Sequence, residues 1–201
     1  MELFPHATSE SPRMFESDLV DVCSRTHPLV VPLLFVPASL GCLWEGVVAR
    51  GVGAGPAALL FLLGAAVWSL AEYWLHRTFF HWKPPGPVGE RLHFLVHGVH
   101  HTWPRDRYRL VMPPAVSVSL FFLFFALFRL ALGARAVFPF HAGFAAGYLS
   151  YDLIHYAIHH HNPRWKYARD LRKHHMLHHF KSPDARFGVS TRLWDRVFRT
   201  L

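Results

Sequence analysis

Seventeen histidines in 201 residues mark where chemistry is to be sought, because imidazole both binds transition metals and titrates near neutrality. Ten of them are spaced in a pattern. His76 and His81 bracket HRTFFH, and His97, His100 and His101 form HGVHH. His155 and His159 lie in DLIHYAIHH, and His175, His178 and His179 form HMLHH. On a helix, residues three and four apart share a face. The spacing therefore predicts that His97, His100 and His101 point one way, and likewise His175, His178 and His179. Asp152, His155 and His159 fall on one stripe, and Glu72 precedes His76 by one turn. A lone histidine near a membrane interface is ordinarily structural, but two HxxHH triplets with two further pairs are not explained that way. Eight to ten imidazoles suit two metal ions with four or five nitrogens each. Imidazole accepts Fe, Zn, Cu or Ni. Open positions at a redox iron permit O2 chemistry, whereas a zinc pair permits hydrolysis. His6, His27, His141, His160, His161 and His174 fall outside the pattern and read as surface or packing residues. His93, one turn before His97, is a candidate for an outer layer.

These side chains need elements to carry them. Four apolar stretches, at about 29–49, 56–75, 114–132 and 137–158, each approach the roughly 20 residues that cross a bilayer as a helix. The connections 50–55 and 133–136 are short and rich in Gly and Ala, so they predict two membrane hairpins. Both termini and segment 76–113 then share one side. That side carries 18 of the 21 Lys and Arg residues, against Arg50, Arg129 and Arg135 opposite, which predicts that it is cytoplasmic. The composition agrees: 52% hydrophobic and 17% charged residues suit a membrane body under a polar cap. The net charge of +8 raises nucleic acid as a partner, but the basic residues cluster beside the apolar stretches, as expected for contact with lipid headgroups.

The fold class expected is all-α: a four-helix transmembrane bundle with a cytoplasmic His-rich helical cap, residues 29–201, preceded by an N-terminal cytoplasmic segment, 1–28. Within the cap, 82–90 reads as a Pro/Gly loop and 162–169 as loop or irregular helix, with short helices over 91–101 and 170–180. The two hairpins, each followed by a His-rich segment, form a loose pseudo-repeat. Cys23 and Cys42 make no CxxC, so histidine must carry any metal, and residues 1–28 show no cleavable signal peptide.

The segments EYWLHRTFFH, HFLVHGVHHTWPRDRYRLVMPP, GYLSYDLIHYAIHH and FGVSTRLWDRVF together resemble the fatty acid hydroxylase superfamily, and within it the fatty acid 2-hydroxylase branch, over about residues 70–198. The RYRLVMPP stretch, Arg107 to Pro114, is more specific than the histidines. The resemblance implies that His76, His81, His97, His100, His101, His155, His159, His175, His178 and His179 bind two metal ions, iron in the active enzyme, with zinc able to replace it in purified protein. It also implies that Asp152 and Tyr151 lie near the metals in catalytic or channel positions. The activity implied is insertion of one atom of O2 at C2 of a fatty acyl chain, free or in a ceramide-type lipid. Arg107, Tyr108 and Arg109 are candidates to hold the lipid carbonyl or headgroup, with interfacial anchoring as the alternative. Many eukaryotic members carry a fused cytochrome b5 domain. Residues 1–28 are too short for one, so electrons are expected from a separate donor such as cytochrome b5 or a ferredoxin. The rival readings are a sterol or carotenoid hydroxylase, a desaturase, and a metal transporter. A transporter would place its ligands near the bilayer midplane rather than at helix ends.

Overall fold

The computed structural model describes residues 11–201, and among them every regular element is helical. In chain order these are α1 (Asp18–Cys23), α2 (Val30–Trp44), α3 (Ala54–Trp74), α4 (Gly86–His93), α5 (Val99–Thr102), α6 (Pro114–His160), α7 (Lys166–Phe180) and α8 (Leu193–Val197). Short π-helical stretches extend α2 (Glu45–Ala49), α3 (Leu75–Phe80) and α4 (Phe94–Gly98).

Among the described residues, three helical stretches are long and apolar enough to cross a membrane: Val30–Ala49, Ala54–Phe80 and Pro114–His160. The last is two arms. Gly133 has φ 78° and ψ 175°, a backbone state open to glycine and closed to most other residues. On a straight helix Phe121 and His141 would stand about 30 Å apart, yet their rings are 4.3 Å apart, and those of Phe124 and Phe144 5.0 Å. The arms 114–132 and 134–160 therefore run antiparallel, making the second of two membrane hairpins. Arg135 donates to the carbonyls of Arg50 and Gly51 at 3.0 and 3.1 Å, which ties the turns of both hairpins together at one end. The histidine clusters form at the other.

In a bilayer, lipid tails are as apolar as leucine, so helices are held by close packing rather than by escape from water. A Cβ at Gly143 would fall 1.8 Å from the Phe61 carbonyl oxygen, and one at Gly64 would fall 2.0 Å from that of Phe140. α3 and arm 134–160 thus meet backbone to backbone. Below this crossing Trp68 packs edge-on against Phe144 and Tyr148. Leu33, Leu62, Phe122 and Leu130 point outward, as lipid-facing residues should.

Two local expectations are corrected. Segment 82–90 is not all loop, because α4 starts at Gly86, with Pro85 as its cap and Pro87 in its first turn. Proline suits the first turn of a helix, where its missing N–H has no partner to lose. α7 begins at Lys166, so 162–169 is helical over its second half. Residues 11–28 are also more than a flanking tail. They pack on the 106–109 loop, where the Thr26 amide donates to the Tyr108 carbonyl at 2.7 Å. His6 lies outside the described residues.

Candidate metal centre

The cap brings the ten patterned histidines into two groups. His76, His81, His97, His101 and His178 form one, and His100, His155, His159, His175 and His179 the other. Within each group one ring nitrogen from every residue lies within 4.8 Å of all the others. The triplets do not point one way, as the sequence suggested; each is shared. His97 and His101, four apart, face the first group while His100 faces the second. His175 and His179, again four apart, face the second while His178 faces the first. Helical periodicity explains this: the i,i+4 pair shares a face, and the third member is rotated toward the neighbouring cluster.

The HRTFFH spacing has its own cause. Residues five apart diverge on an α-helix, but Leu75–Phe80 is π-helical, and its i→i+5 bonding stacks residues five apart. His76 and His81 accordingly sit with ring centroids 5.1 Å apart. His97 lies in a second π stretch, Phe94–Gly98.

Nitrogen geometry tests whether metal fits. The Nε2 of His175 lies 2.9, 2.9 and 3.0 Å from the Nε2 atoms of His155, His159 and His179. In the other group, His97 Nε2 is 3.0 Å from that of His76 and 3.1 Å from that of His101, and His81 Nε2 is 3.1 Å from that of His178. One imidazole N–H can satisfy one of three such neighbours, so hydrogen bonding does not account for the convergence. Ligands about 2.1 Å from a shared ion and at right angles to one another stand about 3.0 Å apart. The protonation state agrees. Burial first, and then neighbouring imidazoles, hold His97, His100, His175 and His179 far below the ordinary histidine range. Burial brings His81 down to about 3 and His178 to about 4. The rings are neutral at pH 7, with lone pairs free for a cation.

Outer contacts orient part of the set. The Nδ1 of His76 donates to the Phe187 carbonyl and that of His178 to the Ala185 carbonyl, both at 2.6 Å. A carbonyl only accepts, so Nδ1 carries the proton and Nε2 is left to face the cluster. Of the two roles expected for His174, surface or packing, it takes the buried one, bonded to Asp195 at 2.9 Å. Burial pushes the Asp195 carboxyl upward, but hydrogen bonds from His174, Thr200 and Gly188 outweigh it and hold the group below the usual carboxylate range. The FGVST stretch and Asp195 were visible in the sequence, but local spacing gave no sign that they back the histidines. His93 stays outside both clusters, and His141 is buried among Phe121, Phe125 and Phe128.

A cavity of about 500 Å³ borders both groups, within the range of small-molecule sites. His97, His100 and His155 form its metal-side wall, and Trp68, Phe144 and Tyr148 belong to its apolar wall. Asp152 and Tyr151 line it too. Asp152 is buried, and its Oδ2 has no hydrogen-bond partner among the described residues. The Tyr151 ring stacks on His155 at 5.6 Å. Of the three headgroup candidates, Arg107 and Tyr108 are exposed. Arg109 is turned inward, paired with Asp21 at 3.0 Å and Asp106 at 3.3 Å.

A helical membrane body, capped by histidines that converge where an apolar cavity ends, defines a membrane protein with a candidate two-metal centre open to an apolar ligand. The chain belongs to the fatty acid hydroxylase family, which it matches over residues 61–200. It is 36% identical to a dihydroceramide fatty acyl 2-hydroxylase of Arabidopsis thaliana, over 98% of this chain and 83% of that protein. It is also 36% identical to a fatty acid 2-hydroxylase of Rattus norvegicus, over 94% of this chain and 56% of the rat protein. Among solved structures it is similar to full-length scs7p, of which the hydroxylase domain alone is visible. There the TM-score is 0.87 at 36% identity, covering 93% of this chain and 70% of that one.

Proposed function

We propose that the chain hydroxylates C2 of a fatty acyl chain, free or amide-linked in a ceramide-type lipid, at two iron ions held by the ten clustered histidines. The observation that carries this reading is the apolar cavity whose wall includes His97 of one cluster and His100 and His155 of the other. Iron in these positions supplies the redox chemistry that activates O2. The chain supplies position. Trp68, Phe144 and Tyr148 offer an apolar lining to an acyl chain and exclude water from the reacting carbon. Arg107 and Tyr108 meet the headgroup at the interface. The clusters sit at the ends of the membrane helices, so the first carbons beyond the carbonyl reach them. Asp152 and Tyr151, on the turn before His155, face the lipid from the side of the second cluster, and the Asp152 Oδ2, unpartnered among the described residues, accepts a hydrogen bond from the bound lipid or from a water.

The termini and the metal side face the cytoplasm on the 18-to-3 charge asymmetry, with 29–201 as the membrane domain and 1–28 on its cytoplasmic side. Hydroxylation consumes two electrons per O2, and a separate redox protein such as cytochrome b5 or a ferredoxin delivers them. Mass spectrometry of hydrolysed lipids from cells with and without the chain tests the reading. A 2-hydroxy acyl product that disappears with His100→Ala is expected, whereas hydroxylation at mid-chain or at the ω end would overturn it.

A further inference from the structure

The two clusters differ in what stands behind them. In the first, His76 and His178 are each held from the rear by a backbone carbonyl, of Phe187 and Ala185, at 2.6 Å. In the second, the Nδ1 atoms of His175 and His179 are buried and have no partner among the described residues. The contrast falls within a single triplet, where His178 is supported and its neighbours are not.

The supporting segment is itself clamped. Asp195, fully buried, accepts from the Phe187 and Gly188 amides at 2.9 Å each, from the Thr200 hydroxyl at 2.8 Å and from His174 at 2.9 Å. Glu72, one turn before His76, accepts from the Val189 and Ser190 amides at 2.7 and 2.8 Å and from the Ser190 hydroxyl. A Cβ at Gly188 would come 2.1 Å from the Thr191 carbonyl oxygen and 2.8 Å from Asp195 Oδ2, so only glycine lets the segment settle onto the carboxylate.

We infer that residues 185–190, clamped over 187–190 by Asp195 and Glu72, support the His76 cluster alone, and that the two clusters therefore hold metal with unequal strength. Asp195 and Glu72 act here as positioning residues: they hold the segment whose carbonyls fix two rings, although Glu72 also borders the cavity. A hydrogen bond to the rear nitrogen orients a metal-binding imidazole and raises its basicity, and losing such a partner typically lowers metal affinity about 10–100-fold.

This inference rests on the reading that the clusters bind metal, and one experiment separates the two. The purified full chain in detergent is loaded with zinc, equilibrated against increasing chelator, and its zinc content measured by mass spectrometry. Two ions per chain support the metal reading, and the release pattern tests the inference. Release in two steps of one ion each is expected, separated by about 10–100-fold in chelator. His179→Ala should delete the early step and His178→Ala the late one. Asp195→Ala should draw the late step toward the early one. Asp195→Asn, which keeps an acceptor for the Phe187 amide, should fall between. Both ions leaving the wild type in one step would overturn the inference. So would Asp195→Ala shifting both steps equally, since that is what a merely structural residue would do. Where Asp195→Ala yields no folded protein, the wild-type pattern and Asp195→Asn decide. A wild type that takes up no zinc would refute the metal reading, and the inference with it.

Discussion

Arg109→Ala separates two roles for the basic stretch before the third span. The Arg109 side chain is 3% exposed and lies between Asp21 and Asp106, whose side chains are 9% and 2% exposed. It also donates to the Ser11 hydroxyl at 3.0 Å and the Pro12 carbonyl at 2.5 Å. Removing one partner of a buried ion pair costs about 3–5 kcal/mol, because the charge left behind has neither water nor a counter-ion. Here both carboxylates keep some support. Asp21 retains Arg25 at 2.8 Å and the Met14 amide at 2.7 Å, and Asp106 retains the Ser11 hydroxyl at 2.8 Å and the Tyr108 amide at 2.9 Å. The loss should therefore lie at the lower end, about 3 kcal/mol. For a domain of this size that corresponds to a fall in Tm of roughly 6–12 °C. Thermal unfolding in detergent reads the fall. Metal content and product position, measured well below the transition, should stay as in the wild type. Arg107→Ala, which removes an exposed cation, should leave Tm unchanged. An Arg109→Ala protein with wild-type Tm but an altered position of hydroxylation would refute the anchoring argument and return Arg109 to the headgroup.

Gly143→Ala should destabilise the bundle by about 1–3 kcal/mol, since its Cβ cannot enter the crossing with α3. Gly41→Ala, with nothing within 4 Å of its Cβ, should be neutral or slightly stabilising, and equal effects on Tm would refute the packing account. In the metal-free chain, His178 has its pKa depressed to about 4, so the unfolded state takes up protons first as the pH falls. Stability should drop from pH 6.5 toward 4 at about 1.4 kcal/mol per pH unit for this residue, about 3 kcal/mol in all; a chelated sample whose Tm is flat across that window would contradict it. Single cysteines at positions 90 and 165, in a chain lacking Cys23 and Cys42, should label from the cytoplasmic side, and those at 52 and 134 from the other. Labelling that puts 90 and 165 on opposite sides would overturn the topology.

What the sequence disclosed and what it hid divide along a physical line. Span positions and the four histidine groups follow from local periodicity, which a short window contains. The partition of each triplet depends on how neighbouring helices are rotated, and the His76–His81 pair depends on a π turn that residue spacing alone does not announce. Arg109 read as a headgroup or interfacial residue, and local spacing did not disclose its pairing with Asp21, 88 residues away, or the bond that joins Glu72 to Ser190 across 118.

The partition also changes what the loose pseudo-repeat means. The first hairpin and the cap segments after it supply His76, His81, His97 and His101 to one cluster but only His100 to the other. The second hairpin and its cap supply His155, His159, His175 and His179 to that other cluster and lend His178 to the first. Neither half completes a five-nitrogen site alone; each needs one imidazole from across the interface. Metal that binds the assembled sites and not the separated halves stabilises the assembly by linkage. With metal bound, the exchanged pair, His100 and His178, would couple the folding of the membrane bundle to the occupancy of both sites, and a chain with either one replaced should lose the dependence of its Tm on metal at one site while keeping it at the other.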